Sequence, residues 1–210
     1  MSETYTISVI IPFYNAKIFL NECINSLLNQ DFDKPYEIIM IDDGSTDNGV
    51  KIIKENYLSS IKLISHKTNI GPASARNSGL KSASGEFIYF LDVDDNIAKD
   101  TFKTLYREAK KNNLDLVMSD KVVIKKNKVL RKNFYLYDND KVFVGQEITD
   151  EIKKRLYNPL YSDGLLGITG RLFKRSIIKK NNINFRKEMR YLEDETFSWD
   201  ILAYCNKVKY

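Results

Sequence analysis

Asp92, Asp94 and Asp95 stand directly after the apolar run Phe87-Ile88-Tyr89-Phe90-Leu91. Such a run reads as a buried parallel strand. Three carboxylates within four residues repel one another unless something positive sits among them. A hard divalent cation carrying a phosphate meets that need, because Mg²⁺ and Mn²⁺ prefer oxygen ligands and are often shared with substrate phosphates. The carboxyl ends of strands in an open α/β sheet are also where such ligands bind. The same acids admit a local reading, in which Asp95 and Asn96 cap a helix that begins near Ala98.

Three further polar groups hold the same kind of position. Pro12-Phe13-Tyr14-Asn15 follows the β-rich run Ile7 to Ile11. Asp42-Asp43-Gly44-Ser45-Thr46-Asp47 follows the run Tyr36 to Ile41, and Asn69 to Asn77 follows Ile61 to Ser65. Between these strands the apolar spacing becomes helical over Ile18 to Leu28, Thr46 to Tyr57, Gly71 to Ala83 and Ala98 to Asn112. A β-α-β-α rhythm implies a mostly parallel central sheet with helices on both faces. In such a sheet all four polar groups emerge on one edge and converge on one cleft.

Beyond Leu114 the rhythm changes. Leu116 to Ile124 and Val129 to Tyr137 read as two strands of a hairpin with a basic tip, five Lys/Arg falling in the eight residues from Lys125 to Lys132. Asp138 to Gly145 reads as a polar turn and Glu147 to Tyr157 as a helix. Gly164, Gly167 and Gly170 mark flexible points, either bends at the sheet edge or places where backbone approaches a ligand. Leu192 to Cys205 reads as a last helix. Lys207 to Tyr210 looks like a strand that the chain leaves unfinished, as in a piece cut from something longer.

The series Val9-Ile10-Ile11-Pro12-Phe13-Tyr14-Asn15, Ile41-Asp42-Asp43-Gly44-Ser45-Thr46-Asp47, Asn69-Ile70-Gly71-Pro72-Ala73-Ser74-Ala75-Arg76-Asn77-Ser78-Gly79 and Leu91-Asp92-Val93-Asp94-Asp95 strongly resembles the family 2 glycosyltransferases of the GT-A fold. The resemblance covers nearly the whole chain, and four motifs in order are specific where each alone is weak. It implies a single GT-A catalytic domain over residues 1–210, with a nucleotide-sugar-binding half at 1–114 and an acceptor-binding half at 115–210. It also implies an inverting transfer from a nucleotide-diphosphate sugar, usually UDP-linked, to a glycan or lipid-linked sugar acceptor, with Mn²⁺ or Mg²⁺ as cofactor.

Carried over position by position, the resemblance has Pro12, Tyr14 and the Asp42-Asp43 pair hold the nucleoside. One acid of that pair accepts from the uracil ring N–H, and the motif does not say which. Asp92 reaches the ribose or donor sugar, and Asp94 binds the metal that bridges the two phosphates. The guanidinium of Arg76 suits phosphate or sugar oxygens, and equally an ion pair with a cleft acid. Tyr191-Leu192-Glu193-Asp194-Glu195-Thr196 matches the family's E-D signature, which makes Asp194 the general base; the same acids would also suit a bare helix N-terminus. Trp199 reads as core, and the lone His66 as a loop residue without a catalytic task. The Q-x-x-R-W motif of processive members is absent, which implies addition of a single sugar or a motif lying past Tyr210.

The bulk properties narrow the alternatives. A net charge of +5 is a mild excess that does not point to nucleic acid. Cys23 and Cys205 form no C-x-x-C, so neither a disulfide framework nor a zinc site is indicated, and a reducing cytoplasm fits. Neither a signal peptide nor a membrane-spanning run is legible, which leaves peripheral contact, with the basic hairpin against anionic lipid. A haloacid-dehalogenase-type phosphatase also carries D-x-D after an apolar strand, but wants Thr or Val where Asn96 stands. A dehydrogenase wants G-x-G-x-x-G, which is missing. A nucleotide-sugar-binding protein without turnover would share every donor motif.

Overall fold

Period-two alternation along the strands sorts their side chains onto two sides of one sheet. In the computed structural model, which describes residues 5–119, 121–125, 128–133, 141–150, 167–189 and 191–209, β1 (Ile7–Phe13) sends Ile10 to one core while Ile7, Val9, Ile11 and Phe13 enter the other. β2 (Tyr36–Asp42) divides the same way, Ile39 and Ile41 against Ile38 and Met40, and β4 (Phe87–Phe90) sets Ile88 and Phe90 against Phe87 and Tyr89. Strands buried on both faces have no polar side, which is why they read as unbroken apolar runs.

Helices cover each face. α1 (Leu20–Leu28), α2 (Gly49–Asn56) and α4 (Thr101–Asn112) pack on one. The other carries α3 (Pro72–Ser82), α5 (Arg175–Lys180) and α6 (Glu193–Leu202). α3 lies close to the sheet because Gly79 has no side chain: a Cβ there would come within 2.4 Å of Ile10. The remaining strands are β3 (Ile61–Ser65), β5 (Leu116–Met118), β6 (Lys121–Lys125), β7 (Lys128–Asn133), β8 (Val142–Val144), β9 (Arg171–Lys174) and β10 (Lys207–Lys209).

The main sheet runs β3-β2-β1-β4-β9-β5-β10-β8. It is parallel except at β9, which is antiparallel to both β4 and β5, and at β8, which is antiparallel to β10. β1 runs through Pro12, where the sequence suggests a stop. The carbonyls of Thr6 and Ile10 face β4, so the N–H that Pro12 lacks would face that side too, and β4 pairs with β1 only as far as Ile10. No ladder bond is lost there.

The single strand expected over Leu116 to Ile124 is two. It breaks where the N–H and hydroxyl of Ser119 both donate to the Gly170 carbonyl, at 2.8 and 3.0 Å, and β6 then pairs with β7 in a separate two-stranded sheet. Val142–Val144, expected to be turn, is an edge strand. Of the helix expected over Glu147 to Tyr157, residues 146–150 are helical. The rest of that helix, Gly164 and the hairpin tip at Lys126-Asn127 lie outside the described residues.

Candidate active site

The loops after β1 and β2 are tied together. Asn15 adopts a left-handed conformation, which Asn tolerates, and its side-chain carbonyl accepts from the backbone N–H of Thr46 at 2.8 Å and of Asp47 at 3.2 Å. The Asn15 N–H donates to Ser45 Oγ at 2.9 Å, and Asp47 accepts from the Lys17 N–H at 3.0 Å. Gly44, at φ +76°, lies against the backbone of Thr68 and Asn69, where a Cβ would meet the Thr68 carbonyl carbon at 2.5 Å. Only glycine allows the β2 loop to approach the β3 loop this closely. Tyr14 and Pro12 border this region, Tyr14 48% exposed.

The two acids at the end of β2 are both buried and differently used. Asp42 Oδ1 accepts from the Ser45 N–H at 2.8 Å and closes its own turn. Asp43 reaches across to the next loop. It accepts from the N–H of Ile70 at 3.1 Å and of Gly71 at 2.8 Å, and His66 Nδ1 lies 2.8 Å from Asp43 Oδ1. Gly71 precedes α3 with φ +91° and ψ 158°, a region open to glycine almost alone, and Pro72 opens the helix.

Arg76, in the second turn of α3, is buried and bridges two carboxylates. Its Nη1 donates to Glu193 Oε1 at 2.7 Å and its Nη2 to Asp92 Oδ1 at 3.0 Å. Of the two uses expected for this arginine, the structure shows the ion pair. Next to it, Asn77 forms two bonds with the Phe185 backbone, donating to its carbonyl at 2.8 Å and accepting from its N–H at 2.9 Å. The Phe185 ring stacks on Phe197 of α6 at 3.9 Å and 2°. Arg76 and Asn77 therefore hold the start and one side of α6 against α3 and the end of β4.

Asp92 to Asp95 form a tight turn in which the Asp95 N–H donates to the Asp92 carbonyl at 3.0 Å. Asp94 is exposed and makes no hydrogen bond or ion pair among the described residues. The field of the cluster reaches the interior. The Cys23 thiol is pushed up to about 12, first by burial and then by Asp95, Asp94 and Asp92. Burial and then Asp95 raise the Tyr89 phenol as well. Among the described residues no group of three or more His, Cys, Asp or Glu side chains could hold a metal. One open carboxylate with its lone pairs unused fits an ion whose other ligands are diphosphate oxygens and water.

Asp194 is the second residue of α6, half-buried. Glu193 beside it turns inward to Arg76, while Asp194 makes no hydrogen bond or ion pair among the described residues. Leu192, the residue before the helix, is held at φ +62°, a conformation costly for a bulky side chain. Trp199 is half-buried against the core.

Pro12, Tyr14, Asp42, Asp43, Asp92, Asp94 and the loop leading to Arg76 all stand at the carboxyl edge of β1, β2, β3 and β4, and Arg76 joins that edge to the helix of Asp194. Four participants were given no task of their own in the sequence reading: Asn15, Asn77, Glu193 and His66, the last read as a plain loop residue. A signal existed for His66, which directly follows β3 as the other site residues follow their strands.

The strand order, with β9 reversed between β4 and β5 and polar loops at four successive strand ends, defines the GT-A class of α/β folds. Residues 8–181 match the family model of glycosyl transferase family 2. The chain is 34% identical over 200 residues to the poly(ribitol-phosphate) beta-N-acetylglucosaminyltransferase TarP of Staphylococcus aureus (strain N315), covering 93% of this chain and 57% of that protein. S. aureus TarS 1-349 in complex with UDP superposes with a TM-score of 0.78 at 26% identity, over 97% of this chain and 57% of that one. TarS in complex with UDP-GlcNAc gives a TM-score of 0.77 at 27% identity, over 97% and 55%. This chain belongs to glycosyl transferase family 2, and it spans a little over half the length of these relatives. The phosphatase reading of the D-x-D falls with that assignment.

Proposed function

We propose that the protein is an inverting glycosyltransferase that moves a sugar from a UDP-linked donor to a hydroxyl of a glycan or lipid-linked sugar. The observation that carries this reading is the Arg76 bridge. One guanidinium sets Asp92, on the donor side, beside Glu193, the neighbour of Asp194. A carboxylate free of other partners thus stands next to the donor cleft but on a separate element, as a general base opposite a leaving group must. The UDP and UDP-GlcNAc complexes of TarS favour a uridine donor.

In this reading Pro12 and Tyr14 flank the nucleoside, an acid of the Asp42-Asp43 pair accepts from the uracil N–H, and Asp92 accepts from a hydroxyl of the ribose or donor sugar. Asp94 would hold Mn²⁺ or Mg²⁺, which supplies neutralising charge to the departing diphosphate. Asp194 takes the proton of the acceptor hydroxyl as its oxygen bonds to the anomeric carbon. The bond from that carbon to the diphosphate breaks on the opposite face, UDP leaves, and the configuration inverts.

Titration of UDP with and without Mn²⁺, followed by turnover of UDP-sugars, tests the reading. Asp94→Ala is expected to lose metal-dependent UDP binding. Asp194→Asn is expected to keep UDP binding and to lose about 10²- to 10⁴-fold in transfer rate. Binding without transfer or donor hydrolysis would leave a nucleotide-sugar-binding protein instead.

We place the reaction in the cytoplasm, in keeping with two free, buried thiols. Peripheral contact with anionic lipid through the basic hairpin is part of the same proposal. Unchanged liposome binding after its lysines are replaced would remove that part.

A further inference from the structure

His66 is the one histidine of the chain, and both of its ring nitrogens are engaged. Nδ1 lies 2.8 Å from Asp43 Oδ1, Nε2 lies 2.9 Å from Ser78 Oγ, and Ser78 Oγ lies 3.1 Å from the Ser74 carbonyl. The ring is thus fixed between the end of β2 and the middle of α3. Its carboxylate partner is nearly fully buried and already receives two backbone N–H groups, from Ile70 and Gly71.

Two protonation states satisfy this chain of contacts without moving a heavy atom. In the neutral ring, Nδ1–H donates to Asp43 and Nε2 accepts the Ser78 hydroxyl proton. In the charged ring, both N–H groups donate, and the Ser78 hydroxyl turns to the Ser74 carbonyl. A proton gained or lost at His66 therefore leaves the geometry intact and changes the charge 2.8 Å from Asp43. Charged residues on the elements packed against the ring are Glu37, Asp42 and Asp43 on and after β2, Lys62 and Lys67 on and after β3, and Arg76 and Lys81 on α3. Among them only Asp43 is within hydrogen-bond reach of the ring.

We infer that His66 is a positioning residue of the donor site: it holds Asp43 toward the nucleoside and, through its own proton, makes donor affinity depend on pH. The inference rests on the donor reading given above, with Asp43 as the acid that meets the uracil N–H. A positive ring draws on the lone pairs that this N–H needs, so the donor binds less tightly as His66 takes up a proton. A histidine commonly changes charge between about pH 5 and 8.

UDP is titrated across that range into the wild-type protein, His66→Asn and His66→Ala. Asn can still donate to Asp43 but does not titrate. The ratio of wild-type to His66→Asn affinity cancels the ionisation of UDP itself. It is expected to rise about threefold or more from low to high pH, as a single-proton linkage gives. His66→Ala is expected to bind about tenfold more weakly than wild type, and Asn to recover part of that. A ratio that stays constant with pH makes the residue purely structural and overturns the inference.

A second measurement needs no variant. With a single histidine, one imidazole resonance reports its titration, recorded free and with saturating uridine, a neutral ligand. A lower midpoint with uridine is expected, and an unchanged midpoint overturns the inference. Absence of UDP binding at every pH overturns the donor reading itself, and this inference with it.

Discussion

Arg76 is a buried cation shared by two carboxylates from distant parts of the chain. Glu193 is buried and Asp92 is partly in water, its side chain 43% exposed. Removing the guanidinium strands Glu193 in the interior, so Arg76→Met is expected to cost about 3 kcal/mol of stability, nearly all of it from the buried partner. Arg76→Lys keeps the charge but loses the fork that spans both acids, and about 2 kcal/mol is expected to go with it. Urea denaturation midpoints measure both. Asp94 is the opposite case: exposed and unpartnered among the described residues, it is expected to change stability by less than about 0.5 kcal/mol when replaced by alanine. In the proposed reading one loss is structural and the other functional, although the two side chains stand at the same sheet edge. The acids were legible in the sequence because polar groups recur at four successive strand ends in order, although any one of them alone could cap a helix or close a turn. Arginine's role was not, because a guanidinium suits an ion pair and a phosphate equally, and only folding brings Glu193 to it.

Among the elements, α3 and α6 are joined by paired hydrogen bonds that have no local signature. Asn77 lies 108 positions from Phe185, so nothing near either residue announces the contact. Asn77→Ala leaves the buried N–H and carbonyl of Phe185 unmatched, and a loss of about 2–4 kcal/mol is expected. Transfer is expected to fall further than UDP affinity, because α6 carries Asp194 whereas the donor loops are tied to one another; kinetics and calorimetry on the one variant separate the two. The four strands and four helices up to Asn112 were readable from period and turn chemistry. β8 and α5 were not: three residues at a sheet edge and six residues directly following β9 are too short to show a period. The break between β5 and β6 was hidden for another reason: Ser119 makes the last bond to the β9 side at Gly170, a residue remote in sequence whose φ of +73° turns the partner chain away.

At the scale of the whole molecule, the two cores hold one thiol each. Burial, followed by the acidic cluster for Cys23 and by Asp115 for Cys205, pushes both from 9.0 up to about 12. Such a group stays protonated in the native state while the unfolded chain ionises. Its contribution is whole below about pH 9 and is lost as the pH rises toward 12. Each thiol is expected to remove about 1.4 kcal/mol per pH unit within that window. Cys23→Ala, though less stable at pH 7, is expected to show a shallower alkaline slope in chemical denaturation.

The place of β9 bears on how the protein is made. β4 is flanked by β1 and β9, and β9 begins only at Arg171. A chain emerging from the ribosome can assemble β3, β2, β1 and β4 early, since their pairings need only the first 90 residues. Until Arg171 to Lys174 emerge, one rim of β4 offers bare amides and carbonyls among apolar side chains, the pattern that other nascent chains can join. The β1–β4 part of the sheet is thus complete well before it is safe from aggregation, and chaperone protection matters most over that interval of synthesis.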